Sequence, residues 1–312
     1  MNEILRIGSR GSDLALVQSE WVRDRLIATH PGLQVEIEVV ATQGDKVLDT
    51  PLAKIGDKGL FVKELETELL AGRVDLAVHS AKDMPTEMPE GLMIVAFTER
   101  EDWRDVFVAG RGRQVTQLAD LPRHAVVGSS SLRRRSQLLA LRPDLKLVDI
   151  RGNVATRLRK VTEQNLAGTV LAAAGLARLG KSDQAAFAFN FAEMLPAVGQ
   201  GALAVEARAD DERVSALLGP LNHVPTALAV RAERALMQTL KGGCQVPIAA
   251  LAEHQGEMLS LRAFVGSLDG QRVLRDESIG PAHDAVTLGR DLAEVLLGLG
   301  ADEILAEVRR HD

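Results

Sequence analysis

The chain has 312 residues, of which 46% are hydrophobic and 26% charged, with a formal net charge of −6, one cysteine, no tyrosine and 3% aromatic residues. This length and balance predict a globular protein of about two or three domains. One cysteine excludes an internal disulfide framework, and the acidic balance with few aromatic rings argues against a general nucleic-acid binder. No apolar run approaches the ~20 residues of a membrane helix, and the N-terminus lacks the basic and long apolar regions of a signal peptide. The expected location is therefore the cytoplasm, with no membrane and no nucleic-acid partner.

Residues 4–7 alternate as a short strand and run into the polar turn Gly8-Ser9-Arg10-Gly11-Ser12-Asp13. Leu14, Val17, Trp21 and Leu26 mark an amphipathic helix that stops at His30-Pro31-Gly32, and Val35, Ile37, Val39 and Ala41 alternate as a second strand. Strand–helix–strand is the unit of a parallel sheet. Ser12 or Asp13 is placed to cap the helix beside Arg10, so this turn is a plain N-cap or an anion seat. Thr42 to Gly59 is rich in Gly, Asp and Lys, lacks a clear period and is long for a loop, which is typical of functional or mobile segments. It carries Lys54 and Lys58 toward a helix through Phe61, Val62, Leu65 and Leu69, ended by Gly72. Val74 to His79 form the next strand. Pro85 drives Met84 extended, so Asp83 projects from the turn after a strand's carboxyl end. In open α/β sheets that edge binds ligands, although Asp also serves in plain turns.

Leu92 to Phe97 is another strand, and Thr98 to Asp105 is a charged crossing into a second strand–helix series. Val126-Val127-Gly128 enters Ser129-Ser130-Ser131-Leu132-Arg133-Arg134-Arg135. Leu145 to Ile150 enters Arg151-Gly152-Asn153 and a helix with Arg157, and Thr169 to Ala174 enters Gly175-Leu176-Ala177-Arg178. Three such turns at one sheet edge predict a cationic cleft shared by Arg133, Arg134, Arg151, Arg157 and Arg178, suited to bidentate binding of carboxylate or phosphate. Gly175 to Ser182 also fits the Walker A expression. Leu176, Ala177 and Leu179 are helix formers where a P-loop needs small residues around phosphate, so the stretch reads as one helical turn ended by Gly180. The seven histidines show no metal-site spacing, and no metal is expected.

Leu195 to Val205 reads as a hinge crossing and a strand, and a linker lies around Gly219-Pro220. A smaller α+β unit follows: helix 225–240, strands 247–253, 258–266 and 272–277, and a helix near 284–298. Leu228, Ala232, Leu236 and Leu240 share one face of the first helix, with Pro225 in its first turn. Gly242 and Gly243 are expected to end it through the left-handed conformation. Cys244 then stands on a short loop before the next strand. A lone cysteine is commonly a buried small hydrophobe, but the Gly-Gly approach and Lys241 favour a displayed, reactive thiol.

Taken together, these motifs resemble the porphobilinogen deaminase (hydroxymethylbilane synthase) family over nearly the whole chain. The resemblance is carried by Arg10 and Ser12, by Lys54-Ile55-Gly56-Asp57-Lys58-Gly59-Leu60-Phe61-Val62-Lys63-Glu64-Leu65, and by His79-Ser80-Ala81-Lys82-Asp83. It continues through Gly128 to Arg134, Arg151-Gly152-Asn153, Leu195 to Gly201, and Gly242-Gly243-Cys244-Gln245-Val246-Pro247. Departures at Gln43, Ala81 and Ala177 remove none of the chemical groups involved. The resemblance implies two α/β domains like those of periplasmic binding proteins, joined by a double crossing, and a smaller C-terminal α+β domain. The implied boundaries are 1–98 with 198–217, then 103–195, then 220–312.

It further implies stepwise, ammonia-releasing condensation of four porphobilinogen molecules into the linear tetrapyrrole hydroxymethylbilane by a monomeric enzyme. The chain would grow on a dipyrromethane cofactor held by a thioether to Cys244. Asp83 would be the catalytic carboxylate, stabilising positive charge on a pyrrole nitrogen. Lys82, Ser131, Arg133, Arg134, Arg151 and Gly152 would bind the cofactor, and Arg10, Ser12, Arg157, Arg178, Lys54 and Lys58 the substrate. A charged hydrogen bond contributes about 1.5–3 kcal/mol net, so several hold a carboxylate-rich chain in register. The rival reading is a non-catalytic two-domain carboxylate-binding protein, which explains the arginine turns but not a displayed cysteine in a third domain.

Overall fold

The computed structural model describes residues 4–42, 62–243 and 246–311. In chain order the first elements are β1 (Leu5–Arg10), α1 (Asp13–Thr29), β2 (Val35–Val40), α2 (Lys63–Leu70), β3 (Leu76–Ser80) and β4 (Leu92–Phe97). A second series follows: β5 (Asp105–Ala109), β6 (Val126–Gly128), α3 (Leu132–Leu141), β7 (Lys146–Val148), α4 (Val154–Glu163), β8 (Gly168–Ala172), α5 (Ala173–Arg178) and β9 (Phe187–Ala188). Then come β10 (Leu203–Arg208), α6 (Glu212–Leu218), α7 (Val224–Thr239), β11 (Ile248–Gln255), β12 (Met258–Gly266), β13 (Val273–Pro281), α8 (Ala285–Gly298) and α9 (Ala301–His311). The chain divides into two compact units, Met1–Glu101 with Ala202–Leu228, and Asp102–Gly201 with Ala229–Asp312.

The first unit is built on a mixed sheet of order β2-β1-β3-β10-β4, in which β1 runs parallel to β2 and β3 while β10 is antiparallel to β3 and β4. Alternation along the strands gives each face its own core. Leu5, Ile7, Leu76, Val78, Leu203 and Val205 pack with Val22 and Leu26 of α1 and Val214 and Leu218 of α6. Ala77 and Leu92 pack with Leu65 and Leu69 of α2.

The second unit contains a mixed sheet of order β7-β6-β8-β5-β9, with β6 parallel to both β7 and β8 and β5 antiparallel to β8 and β9. Leu138 of α3 joins Phe107, Val127 and Val170 in one cluster, and Leu176 of α5 joins Val106, Val108 and Leu171 in another. The same unit holds the antiparallel sheet β11-β12-β13 with α8, α9 and α7 from Ala229 onward. At Gly289 a Cβ would fall 2.2 Å from the carbonyl oxygen of Ala232, so the absent side chain lets α8 cross the backbone of α7 closely. Two mixed α/β sheets and a smaller α+β portion give the expected fold class.

One local expectation changes. The residue with positive φ after α7 is Lys241, at 51°, whereas Gly242 is needed for a different reason. Its Cβ would meet Met237 Sδ at 2.4 Å and Ile248 Cδ1 at 2.7 Å, so glycine here provides space rather than handedness. The stretch around Gly219-Pro220 forms a single 3₁₀ turn, Gly219–Leu221, directly after α6, which is started by the Asp211 side chain accepting from the amide of Val214 at 2.9 Å. The turn at Gly180 is as expected: φ is 64° there, directly after α5 and its cap at Leu179.

Candidate active site

In the first unit β1 and β3 are parallel neighbours, so the turns after them leave the same sheet edge. The first turn carries Arg10, half-buried, and Ser12, which caps α1 by accepting from the Ala15 amide at 3.4 Å. The second is the single 3₁₀ turn Ala81–Asp83. Its entry is fixed from two sides. Gln18 Nε2 donates to Ser80 Oγ at 2.9 Å, and the Ala81 amide donates to the Ala202 carbonyl at 3.0 Å. Ala81 and Met84 are buried, Lys82 is half-buried, and Asp83 is exposed. Arg10, Ser12, Gln18, His79, Ser80 and Asp83 are among the residues lining one open recess of about 60 Å³. A cation, a hydroxyl and a carboxylate separated by up to 73 positions in sequence thus share a small space at the start of a 17-residue helix, whose N-terminus adds positive potential.

In the second unit β6, β7 and β8 are parallel and adjacent, and their carboxyl ends share an edge. The turn after β6 contains Ser131, which caps α3 by accepting from the Arg134 amide at 3.5 Å. The turn after β7 contains Arg151 and Gly152. Gly152 has φ 111° and accepts at its carbonyl from Arg157 Nε at 2.8 Å. Following β8, Arg178 donates from Nη2 to the Gly201 carbonyl at 2.6 Å.

Asp105 begins β5 opposite Ala172, so its carboxylate stands at that same edge. It is fully buried and accepts from Arg133 Nη1 at 2.6 Å, from Arg134 Nη2 at 2.7 Å and from Gln200 Nε2 at 3.0 Å. Burial alone pushes the Asp105 pKa up, but the two guanidiniums overcome it and hold the carboxyl well below its ordinary range. Arg133 and Arg134, only 5% and 6% exposed, are backed further by the carbonyls of Leu195 and Val170. Two guanidiniums around one carboxylate leave the buried cluster with one positive charge in excess. Such an edge suits ligands that carry several carboxylates.

The structure therefore gathers Arg10, Ser12 and Asp83 at one sheet edge, with Lys82 in the same turn as Asp83. It gathers Ser131, Arg133, Arg134, Arg151, Gly152, Arg157 and Arg178 at the other. Lys54, Lys58 and Cys244 lie outside the described residues. Sequence reasoning missed Gln18, His79 and Asp105. An acid opening the apolar run Val106-Phe107-Val108 was a readable signal for Asp105, since such a position is buried and demands a cationic partner.

Two family models match the chain: "Porphobilinogen deaminase, dipyromethane cofactor binding domain" over residues 5–216, and "Porphobilinogen deaminase, C-terminal domain" over residues 227–298. The porphobilinogen deaminase of Geobacter metallireducens is 52% identical over 308 residues, covering 99% of this chain and 96% of that protein. That of Geobacter sulfurreducens is 51% identical over 308 residues, with the same 99% and 96% coverage. Among solved structures, the periplasmic aliphatic sulphonate binding protein SsuA from Escherichia coli is 15% identical, covers 77% of this chain and 71% of its own, and has a TM-score of 0.41.

Proposed function

The chain belongs to the porphobilinogen deaminase family, and from that premise we propose how its residues divide the work. The activity is that of hydroxymethylbilane synthase: four porphobilinogen molecules are condensed with loss of ammonia into a linear tetrapyrrole, grown on a covalently attached dipyrromethane. The matched families lend no support to a non-catalytic carboxylate binder.

Asp83 acts on the reacting ring. Positive charge develops on the pyrrole nitrogen as ammonia leaves and again as the new carbon–carbon bond forms, and a fixed carboxylate lowers the energy of both stages. Arg10 and Ser12 bind the acetate and propionate of the incoming ring, Lys54 and Lys58 assist them, and Arg157 and Arg178 take carboxylates of the growing chain. The observation that carries this division is the recess in which Arg10, Ser12 and Asp83 meet, because binding a dianionic ring beside a charge-stabilising carboxylate requires that combination.

The cofactor fits the residues at the second sheet edge. Its acetate and propionate groups match the excess positive charge of Arg133 and Arg134 over Asp105. Ser131, Arg151, Gly152 and Lys82 complete the set that holds it, and Cys244 is its point of attachment. When bound, dipyrromethane supplies the nucleophilic ring position from which the chain starts. A thioether survives a reducing compartment where a disulfide would not.

We place the domain boundaries at 1–98 with 198–217, 103–195 and 220–312, and read the protein as a cytoplasmic monomer with porphobilinogen as its partner and no nucleic acid. Support for the location is the single cysteine, together with the finding that no helix among the described residues is long and apolar enough to cross a membrane. The decisive test is the intact mass of purified protein. It should exceed the sequence mass by two pyrrole units located on the peptide containing Cys244, and Cys244→Ala should abolish both the excess and turnover. An unmodified chain with full activity would overturn the reading.

A further inference from the structure

Gln137 of α3 is fully buried, and both ends of its side-chain amide meet the backbone of Leu195. Nε2 donates to the Leu195 carbonyl at 3.0 Å, and Oε1 accepts from the Leu195 amide at 2.8 Å, as a neighbouring strand would. Leu195 lies outside helices and strands, so its buried backbone needs such partners. The same carbonyl accepts from Arg133 Nη1 at 2.7 Å, and Asp105 Oδ2 accepts from Nη1 at 2.6 Å. Nη1 carries two hydrogens, so both are engaged. The Nε–Nη2 side of Arg133 has no hydrogen-bond partner among the described residues, although the residue is only 5% exposed. That side can take a carboxylate in two parallel bonds.

Leu195 is also held from the C-terminal sheet. Its side chain packs with Ala249 and Leu251 of β11 and Phe264 of β12, and the Pro196 carbonyl accepts from the Ala250 amide at 3.3 Å. The outer face of α3 is closed as well. A Cβ on Gly266 would lie 2.3 Å from Ser136 Oγ, and one on Gly270 2.4 Å from the Ala140 nitrogen. β11 is the strand that follows Cys244 in the chain. Leu195 is therefore a fixed point shared by Arg133 and by the strand after the attachment residue.

We propose that Gln137 is a positioning residue for cofactor attachment: by holding Leu195 between α3 and β11, it aims the Nε–Nη2 side of Arg133 at a carboxylate of the dipyrromethane. A guanidinium keeps its charge at any working pH, so the effect is one of geometry. Without the Gln137 amide, the Leu195 N–H is buried and unpaired, and the segment shifts to satisfy it. Arg133 shifts too, because the Leu195 carbonyl fixes one of its Nη1 hydrogens. Gln137 itself need never touch the cofactor. The inference rests on the reading of Arg133 as a cofactor-binding residue.

The test follows loading of the full chain, made in cells that cannot form porphobilinogen and then given porphobilinogen at a series of concentrations. Intact mass reads the fraction of chains with attached pyrroles. Gln137→Met keeps the length and burial of the side chain but makes neither bond to Leu195. The concentration for half-maximal loading should rise about tenfold, the size of one weakened charged hydrogen bond. Arg133→Lys keeps a charge for Asp105 but has no fork, and it should raise that concentration by itself. Adding Gln137→Met to Arg133→Lys should then raise it no further, because the amide acts through the guanidinium. Effects that multiply would mark a merely structural role and overturn the proposal. So would an unchanged half-maximal concentration in Gln137→Met. If Gln137→Met does not fold, Gln137→Glu replaces it in both measurements, since it keeps an acceptor for the Leu195 amide and loses the donor. Failure of both to fold would also count Gln137 as structural and overturn the proposal. Failure of the parent reading looks different: Arg133→Lys would load like wild type.

Discussion

Arg133 Nη1 and Asp105 Oδ2 lie 2.6 Å apart, and their side chains are 6% and 0% exposed. With Arg134 on the other carboxylate oxygen, Asp105 is the anion that allows two arginines to be held together at the edge formed by the carboxyl ends of β6, β7 and β8. Breaking a buried pair by removing one partner typically costs about 3–5 kcal/mol, because the remaining charge is left uncompensated. Asp105→Asn leaves two. The expected result is a loss of stability of at least that order, read as a lower urea midpoint. The pH dependence has a definite sign. The folded carboxyl sits below its ordinary value, so its contribution is present above the unfolded pKa of about 3.9 and is lost as pH falls through the folded value. The stability gap between wild type and Asp105→Asn should therefore close as pH drops below about 4. A constant gap down to pH 2 would show that Asp105 is not the linked group.

Gly152→Ala tests the turn after β7 in a different way. Gly152 has φ 111°, which costs an L-residue about 1–3 kcal/mol. An added Cβ would also lie 2.6 Å from Thr156 Cγ2. The turn must shift, and Arg157 loses the carbonyl it now holds at 2.8 Å. A lower melting temperature and a smaller fraction of chains carrying the attached pyrroles are expected. Adding Thr156→Ala removes the Cγ2 contact but leaves a Cβ 2.7 Å away as well as the strain, so it should restore only part of the stability. Full recovery would place the whole cost in the Cγ2 contact.

Much of this was legible in the chain and some was not, for physical reasons. Period-2 and period-3.6 patterns marked β1, α1, α2 and α7 because each buries one face. The turns bearing Arg10, Asp83, Arg134, Arg151 and Arg178 could be placed at strand ends from their Ser, Gly and Pro neighbours. β5 was hidden because it begins with a buried acid inside a run of charges, and charge density reads as solvent exposure. The tertiary partnership of Asp105 with Arg133 and Arg134 explains it. His79–Glu206 spans 127 residues and has no local signature. α9, with Ile304, Leu305 and Val308 on its buried side, carried a helical period that went unread.

Arg151→Leu separates binding from folding. Arg151 stands in the turn after β7, half-buried, at the edge shared with Arg133 and Arg134. Leucine keeps much of the aliphatic stem and removes the guanidinium. The expected outcome is a near-normal melting temperature with impaired cofactor assembly or early elongation, seen as missing pyrrole mass or as accumulation of short enzyme-bound chains. Unchanged pyrrole content and turnover would remove Arg151 from the carboxylate-binding set.

Asp83 is exposed at the end of a 3₁₀ turn whose backbone is held without it: the Ala81 amide bonds to Ala202, and the Met84 amide bonds to the Ala81 carbonyl. A residue that served only the turn would be replaceable by asparagine, which favours the same conformations. A residue that stabilises cationic charge would not, because Asp83→Asn keeps size and one acceptor oxygen but removes the negative charge. Loss of one such electrostatic group typically lowers rate by ~10²–10³. Turnover of Asp83→Asn should fall by that order, with little change in melting temperature and with attached pyrroles verified by mass. The recess also holds Arg10, so the variant leaves a cation beside the ring without the opposing carboxylate. Substrate capture should then survive better than chemistry, and the loss should appear in kcat rather than KM. Near-normal kcat in fully loaded protein would show that the stabilising charge comes from elsewhere.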